Sequence, residues 1–276
     1  MIAYDFNIFW LAGRALLAGQ SPYSITGFYS PLPFAWLMVP FALLPLYPAF
    51  VIWTVLNLIA FVALTRKRAM FFLLFLPVIF HLWVGQVDLL ILASGLLGGW
   101  LGVAFTTLKP QLAFWIIPYV IIRDRKSNER RKLFVTGLII GFIYGLSWLI
   151  DPGWVPAWQA NTVSLLEYAA HASSLFGAMA LMPIPWRISF LIIAFIGLVA
   201  GIWMKRKGTD YWLIVAIFNP LANIYSLTMI INSIDLIAII LSWLLIPVSL
   251  VLHTGLPWVL VPIYLVIKQK YLLSKL

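Results

Sequence analysis

Only eight of the 276 residues are acidic, and their positions decide which of them could act on a substrate. Asp124 and Glu129 stand in a basic run and Asp210 follows Lys205-Arg206-Lys207, so these three read as solvated loop charges. Asp5, Asp88, Asp151, Glu167 and Asp235 lie in or beside apolar stretches, where an ionisable group is a functional candidate by default. Asp5 precedes Phe6-Asn7-Ile8-Phe9-Trp10. It is either a first-turn acid that complements a helix dipole or a general base at the mouth of a cavity. Asp88 follows Gly85-Gln86-Val87 and has the same two readings, helix start or polar cavity wall. Asp151 precedes a proline and reads as a turn residue.

Among the cations, Lys109 is the most informative, because Leu108 and Pro110 flank it inside an apolar run. Its ammonium could snorkel to an interface, or it could meet an anionic headgroup or a lipid phosphate as a point charge. Arg14 and Arg187 are outer-side cations with the same choice between anchor and phosphate ligand. His81, His171 and His253 are far apart and no cysteine is present, so no metal cage, thiol nucleophile or disulfide is indicated.

The elements that must position these groups follow from composition. Hydrophobic residues make up 64% of the chain and charged residues 9%, with a mean hydropathy of +1.04. A soluble domain of this size needs roughly a quarter of its residues charged. The chain is therefore an all-α, polytopic membrane protein. About eight to ten membrane segments fit, short or broken helices included. Residues 1–276 read as a single integral membrane domain. The net charge of +10 sits mainly in Arg66-Lys67-Arg68, 123–132 and Lys205-Arg206-Lys207. Basic clusters between apolar runs mark cytoplasmic loops, and no nucleic-acid interface is expected.

Along the chain, residues 1–33 read as an extracytoplasmic interfacial helix and turn, with Phe6, Phe9, Trp10, Leu16 and Leu17 at helical spacing and a Tyr- and Pro-rich exit at 27–33. No cleavable signal peptide is visible. A short piece precedes a span over 49–64 that ends at the first basic cluster, which places Asp5 outside. Breaks at Gly85-Gln86, Gly98-Gly99 and Lys109-Pro110 divide 70–123 into short helices with Gln86 and Lys109 towards the outer side. Such irregular backbone survives in a bilayer only when buried in protein or lining a wet cavity. Residues 133–150 return outward, 153–187 form an extracytoplasmic loop with an amphipathic helix, and 188–204 go back in. The threading of 211–267 stays open, and the lysine-bearing tail favours a cytoplasmic C-terminus.

The run from Asp5 to Arg14, with Pro22-Tyr23 and Tyr29-Ser30-Pro31-Leu32-Pro33, resembles the beginning of glycosyltransferase family 87. These are membrane transferases related to polyprenyl-phosphate-mannose-dependent mannosyltransferases. The resemblance continues through Ile52-Trp53, Leu56-Asn57, Gly85-Gln86-Val87-Asp88 and Lys109-Pro110-Gln111. It thins to Ser173-Ser174-Leu175-Phe176-Gly177 and Asn219-Pro220-Leu221-Ala222 in the second half. It implies a GT-C-like helical architecture in the cell membrane with an extracytoplasmic active site. It also implies transfer of a hexose, mannose first, from a polyprenyl-phosphate sugar donor to a glycan or glycolipid acceptor. In that frame Asp5 is the base, Lys109, Arg14 and Arg187 face the donor phosphate, and Gln86, Asp88 and Tyr29 face sugar or acceptor. No cofactor is expected, and a metal requirement is left open. The family's usual transmembrane helix ahead of the Asp motif is not found before Asp5. A transporter or flippase for a lipid-linked or anionic substrate, lined by Lys109 and Asp235, and an inactive accessory subunit remain the alternatives.

Overall fold

Small residues, as much as large apolar ones, decide how the first helix packs. The computed structural model describes residues 2–123, 129–163, 172–175, 186–220 and 222–275, with backbone alone at 129–130, 163 and 186–190. Helix α1 (Tyr4–Leu17) buries Phe6, Phe9, Ala12, Gly13 and Ala15, whereas Leu17 is exposed and Trp10 half-exposed. The stripe expected from Phe6, Phe9, Trp10, Leu16 and Leu17 is therefore rotated. The reason is Gly13, which lies so close to α2 (Leu32–Ala42) that an added Cβ would stand 2.9 Å from Ala42 Cβ and from the Met38 backbone.

Helix α3 (Leu46–Thr65) begins just after Pro45 and carries Pro48 in its first turn, where a missing amide costs nothing. The expected short piece followed by a span is thus present. A short α4 (Ala69–Phe72) follows Arg66-Lys67-Arg68, and 46–72 together are long and apolar enough to cross a membrane. Helices α5 (Leu76–Val84), α6 (Asp88–Leu97), α7 (Gly99–Thr106) and α8 (Pro110–Arg123) are separated at the three breaks expected from Gly85-Gln86, Gly98-Gly99 and Lys109-Pro110. The break at 85–87 turns the chain by 109°. Helix α9 (Glu129–Ile150) and α10 (Trp154–Val163) complete the elements of the first unit.

By length and composition three described helices can cross a membrane: 46–72, 131–150 and 256–273. The bent pair 76–84 and 88–97 makes a fourth if counted as one span, and further apolar helices are shorter. Among the described residues there is no strand, so the chain is an all-α membrane protein, with the short and broken helices that were expected.

The chain divides into two compact units, 1–63 with 82–165, and 64–81 with 166–276. In the second, α11 (Trp186–Arg206) packs on α12 (Tyr211–Phe218), and Gly201 leaves room for the Tyr211 ring. Asp210 caps α12 by accepting the Trp212 amide at 3.1 Å, and Ser233 donates to its other oxygen. A 3-10 stretch (Ile224–Ser233) leads to α13 (Leu236–Leu252), capped by Asp235, and then to α14 (Leu260–Leu273). The Ser173 amide donates to the Ala222 carbonyl at 2.6 Å, joining the two family-like pieces of the second half.

Candidate active site

The site grows from one contact between α1 and the break after α5. Gly85 has φ +76°, a conformation that glycine tolerates and other residues resist. Its missing side chain lets Phe6 sit directly against it. Trp53 on α3 donates its indole N–H to the Gly85 carbonyl at 2.9 Å, and the Ala3 amide donates to the Trp83 carbonyl at 2.8 Å. Phe6, Phe41, Phe50 and Trp53 fill the space between, with ring centroids 5.3 to 6.5 Å apart. The start of α1 is thereby fixed beside residues 83–86.

One residue beyond Gly85, the Gln86 amide nitrogen donates to Asp5 Oδ2 at 2.9 Å. Asp5 stands in the first turn of α1 but caps nothing, since the N-cap is Ala3 and no side chain bonds the free amides. Burial pushes its carboxyl above the ordinary carboxylate value, and the Asp88 charge adds to this. The Gln86 hydrogen bond and the Lys109 charge oppose it without cancelling it. Among the described residues no other hydrogen bond reaches the Asp5 carboxylate.

Lys109 reaches the same place from the turn between α7 and α8. Its carbonyl accepts the Leu112 and Ala113 amides, so it caps α8 with Pro110 in the first helical position. Its ammonium donates to Gln86 Oε1 at 3.0 Å and forms an ion pair with Asp88. Asp88 is the first residue of α6, and α6 and α8 approach closely because Gly95 faces Ile116 and Thr106. The turn is held from outside as well, for the Tyr144 hydroxyl on α9 donates to the Thr107 carbonyl at 2.6 Å. Gln86, Asp88 and Lys109 are 5%, 3% and 8% exposed, so the polar chain is closed off from solvent except at Asp5.

Four of the seven expected site residues thus form one contiguous chain: Asp5, Gln86, Lys109 and Asp88. Tyr29 lies in the turn before α2, where its carbonyl accepts the Trp158 indole of α10 at 2.8 Å. Asn161 of the same helix donates to the Tyr23 and Phe28 carbonyls at 3.0 and 3.3 Å, so α10 clasps that turn. Arg14 occupies the opposite end of α1, about 13 Å from Asp5 at the helical rise. Its guanidinium is exposed, 3.5 Å from the Ala42 carbonyl and 5.6 Å above the Trp10 ring. Arg187 is on α11 of the other unit and its side chain lies outside the described residues, as do Glu167 and His171. Asp151 accepts the Gly153 amide at 3.0 Å, the turn role expected of it. Asp235 caps α13 and pairs with Lys268.

The spacing of residues did not announce Trp53, Gly85 or Tyr144 as supports. A glycine immediately before a polar residue within an apolar run was the one usable signal, and it marked the break rather than its partners. Among the described residues no group of three or more His, Cys, Asp or Glu side chains could hold a metal.

No curated protein and no solved structure matches the chain. Residues 28–223 match the sequence profile of glycosyltransferase family 87, a stretch that contains Tyr29, Gln86, Asp88, Lys109 and Arg187 and begins after Asp5 and Arg14. That match covers well over half of the chain, and with its apolar helices the protein belongs to glycosyltransferase family 87, as a membrane glycosyltransferase.

Proposed function

We propose that the protein transfers a hexose, mannose in the first instance, from a polyprenyl-phosphate sugar to a hydroxyl of a glycan or glycolipid acceptor on the extracytoplasmic side of the cell membrane. Asp5 is the general base. The acceptor oxygen attacks the anomeric carbon, its proton passes to Asp5, and the bond from that carbon to the phosphate oxygen breaks with inversion. Polyprenyl phosphate leaves as a stabilised anion, so a base and positive charge near the phosphate meet the main needs of the step. The sequence offers Lys109, Arg14 and Arg187 for that charge. Of these, Lys109 is the cation beside Asp5.

The observation that carries the reading is the Asp5 carboxylate, held by Gln86 on one oxygen and reached by no other hydrogen bond among the described residues. Its raised pKa suits a base, because the conjugate acid then holds the proton more firmly at neutral pH than an exposed carboxylate would. Asp235, the other residue a transport pathway would use, is engaged as a helix cap and ion pair, which favours the transferase over the transporter.

The test is turnover in reconstituted vesicles with polyprenyl-phosphate mannose as donor and a membrane glycolipid as acceptor. Asp5→Asn is expected to lower the rate by about 10²- to 10⁴-fold while donor binding persists. Wild-type turnover in that variant would remove Asp5 from the mechanism.

A further inference from the structure

We infer that the Asp88–Lys109 pair serves the base rather than the donor: it locks the Gln86 amide, and Gln86 in turn aims Asp5, so that Gln86, Lys109 and Asp88 are positioning residues for acceptor activation. This rests on Asp5 being the base and goes beyond it, by moving Lys109 from the donor phosphate to the acceptor side.

The amide orientation has a physical cause. An ammonium carries only donors, so the Gln86 oxygen must face Lys109, as it does at 3.0 Å, with the Val87 amide also donating to it at 3.4 Å. The nitrogen is then left facing Asp5 Oδ2 at 2.9 Å. Turning the amide over would set N–H groups against the ammonium and an oxygen against the carboxylate, two repulsive contacts in place of two hydrogen bonds. Asp88 fixes the other side of the ammonium, which keeps Lys109 from swinging away. Donation thus runs outward from Lys109, one way to Asp88 and the other through Gln86 to Asp5.

Charge argues the same way. Lys109 is buried and already offset by one carboxylate, so with Asp5 ionised the cluster carries a net charge of −1. A phosphate brought to it would be repelled, whereas a neutral acceptor hydroxyl would not. The charged groups facing Asp5 are Lys109 and Asp88. α2 has no ionisable side chain, α3 has only Tyr47, and α1 itself adds Tyr4 and the distant Arg14.

The experiment measures kcat, donor KM and the pH profile for Lys109→Met, Gln86→Glu and the double variant Asp88→Asn/Lys109→Met, the last to avoid a lone buried carboxylate. Lys109→Met and the double variant are expected to lose about tenfold or more in kcat, because the amide is no longer held. Donor KM should stay near wild type in both. In Lys109→Met the acid limb of kcat should move upward as the favourable charge is lost. Gln86→Glu, the same size as the native residue, should also move that limb upward, since it sets two carboxylates side by side. A donor KM raised tenfold with the acid limb unmoved would return Lys109 to the phosphate and overturn the inference. Unchanged kcat and pH profile in all three would reduce the cluster to a structural role and overturn it too. If instead Asp5→Asn turns over normally, the reading of Asp5 as base fails first, a result distinct from either of these.

Discussion

A Cβ added to Gly85 would stand 2.5 Å from the Cβ of Phe6, which means that α1 rests on the break after α5 with nothing between them. This contact, more than any polar interaction, sets Asp5 beside Gln86. Gly85→Ala would meet both the steric conflict and a φ of +76°, where a side chain costs about 1–2 kcal/mol. The expected outcome is a well-inserted protein whose turnover falls by about 100-fold, since a shift of about 1 Å at a catalytic group is enough for that. Normal turnover together with a normal melting temperature would show that α1 is positioned by something else.

Trp53 supports the same break from the other side. Trp53→Phe keeps a ring against Phe6 and Phe41 but removes the donor to the Gly85 carbonyl, which is then buried without its partner. Such a loss costs about 1–3 kcal/mol. Trp243→Phe is the control, because its indole also donates to a carbonyl, that of Leu74, but at an exposed position rather than one enclosed by the protein. Thermal unfolding in detergent should therefore separate the two variants clearly. Equal destabilisation would deny the Gly85 carbonyl its special dependence on Trp53.

The breaks that create the site were legible in the sequence, because glycine and proline interrupt apolar runs for reasons local to the chain. Gln86, Asp88 and Lys109 were legible as polar residues in surroundings that do not tolerate them idly. The pairing was not. Asp88 and Lys109 are 21 residues apart, and they meet because α6 and α8 come together over Gly95, a packing event without a local signature. Lys109 therefore reads in isolation as a cation free for a phosphate, whereas in the fold it is bound on one side by Asp88 and on another by Gln86. Arg14 stands apart from Asp5 for a simpler reason: nine residues of helix carry it to the far end of α1.

Asp235 offers a test of the second unit that leaves the proposed site untouched. Its Oδ1 accepts the Ala238 amide at 2.8 Å at the start of α13, while Oδ2 takes the Tyr264 hydroxyl at 3.0 Å and the Lys268 ammonium. Partial burial alone would raise its pKa, but the hydrogen bonds from Lys268, Ala238 and Tyr264 outweigh it and hold the carboxyl below its ordinary value. A depressed carboxyl stabilises the fold above the unfolded-state pKa, and that contribution disappears as pH falls through the folded value. Asp235→Ala should cost about 1 kcal/mol or slightly more through loss of the cap. Asp235→Asn, an equally good cap, should lose only the partly exposed ion pair, worth about 0–1 kcal/mol. Equal melting temperatures for the two variants would show that the cap contributes little.

Asp5 has the opposite linkage, and this gives activity and stability opposing pH trends at one residue. Its carboxyl is raised, by burial first and by Asp88 second, so protonation favours the folded state. The contribution of Asp5 to stability is thus fully present below the ordinary carboxylate value and is lost as pH rises through the raised one. The base proposed at this residue, however, works only when ionised. Turnover should consequently rise over the same interval in which the stabilising contribution of Asp5 is lost, with the acid limb above the range of an exposed carboxylate. Asp5→Asn, which cannot ionise, should abolish that part of the stability change, and paired melting and turnover curves across pH for both proteins test this. If the stability curve of Asp5→Asn follows that of the native protein through this interval, the titrating group is not Asp5, and the limb in turnover must belong to another carboxylate.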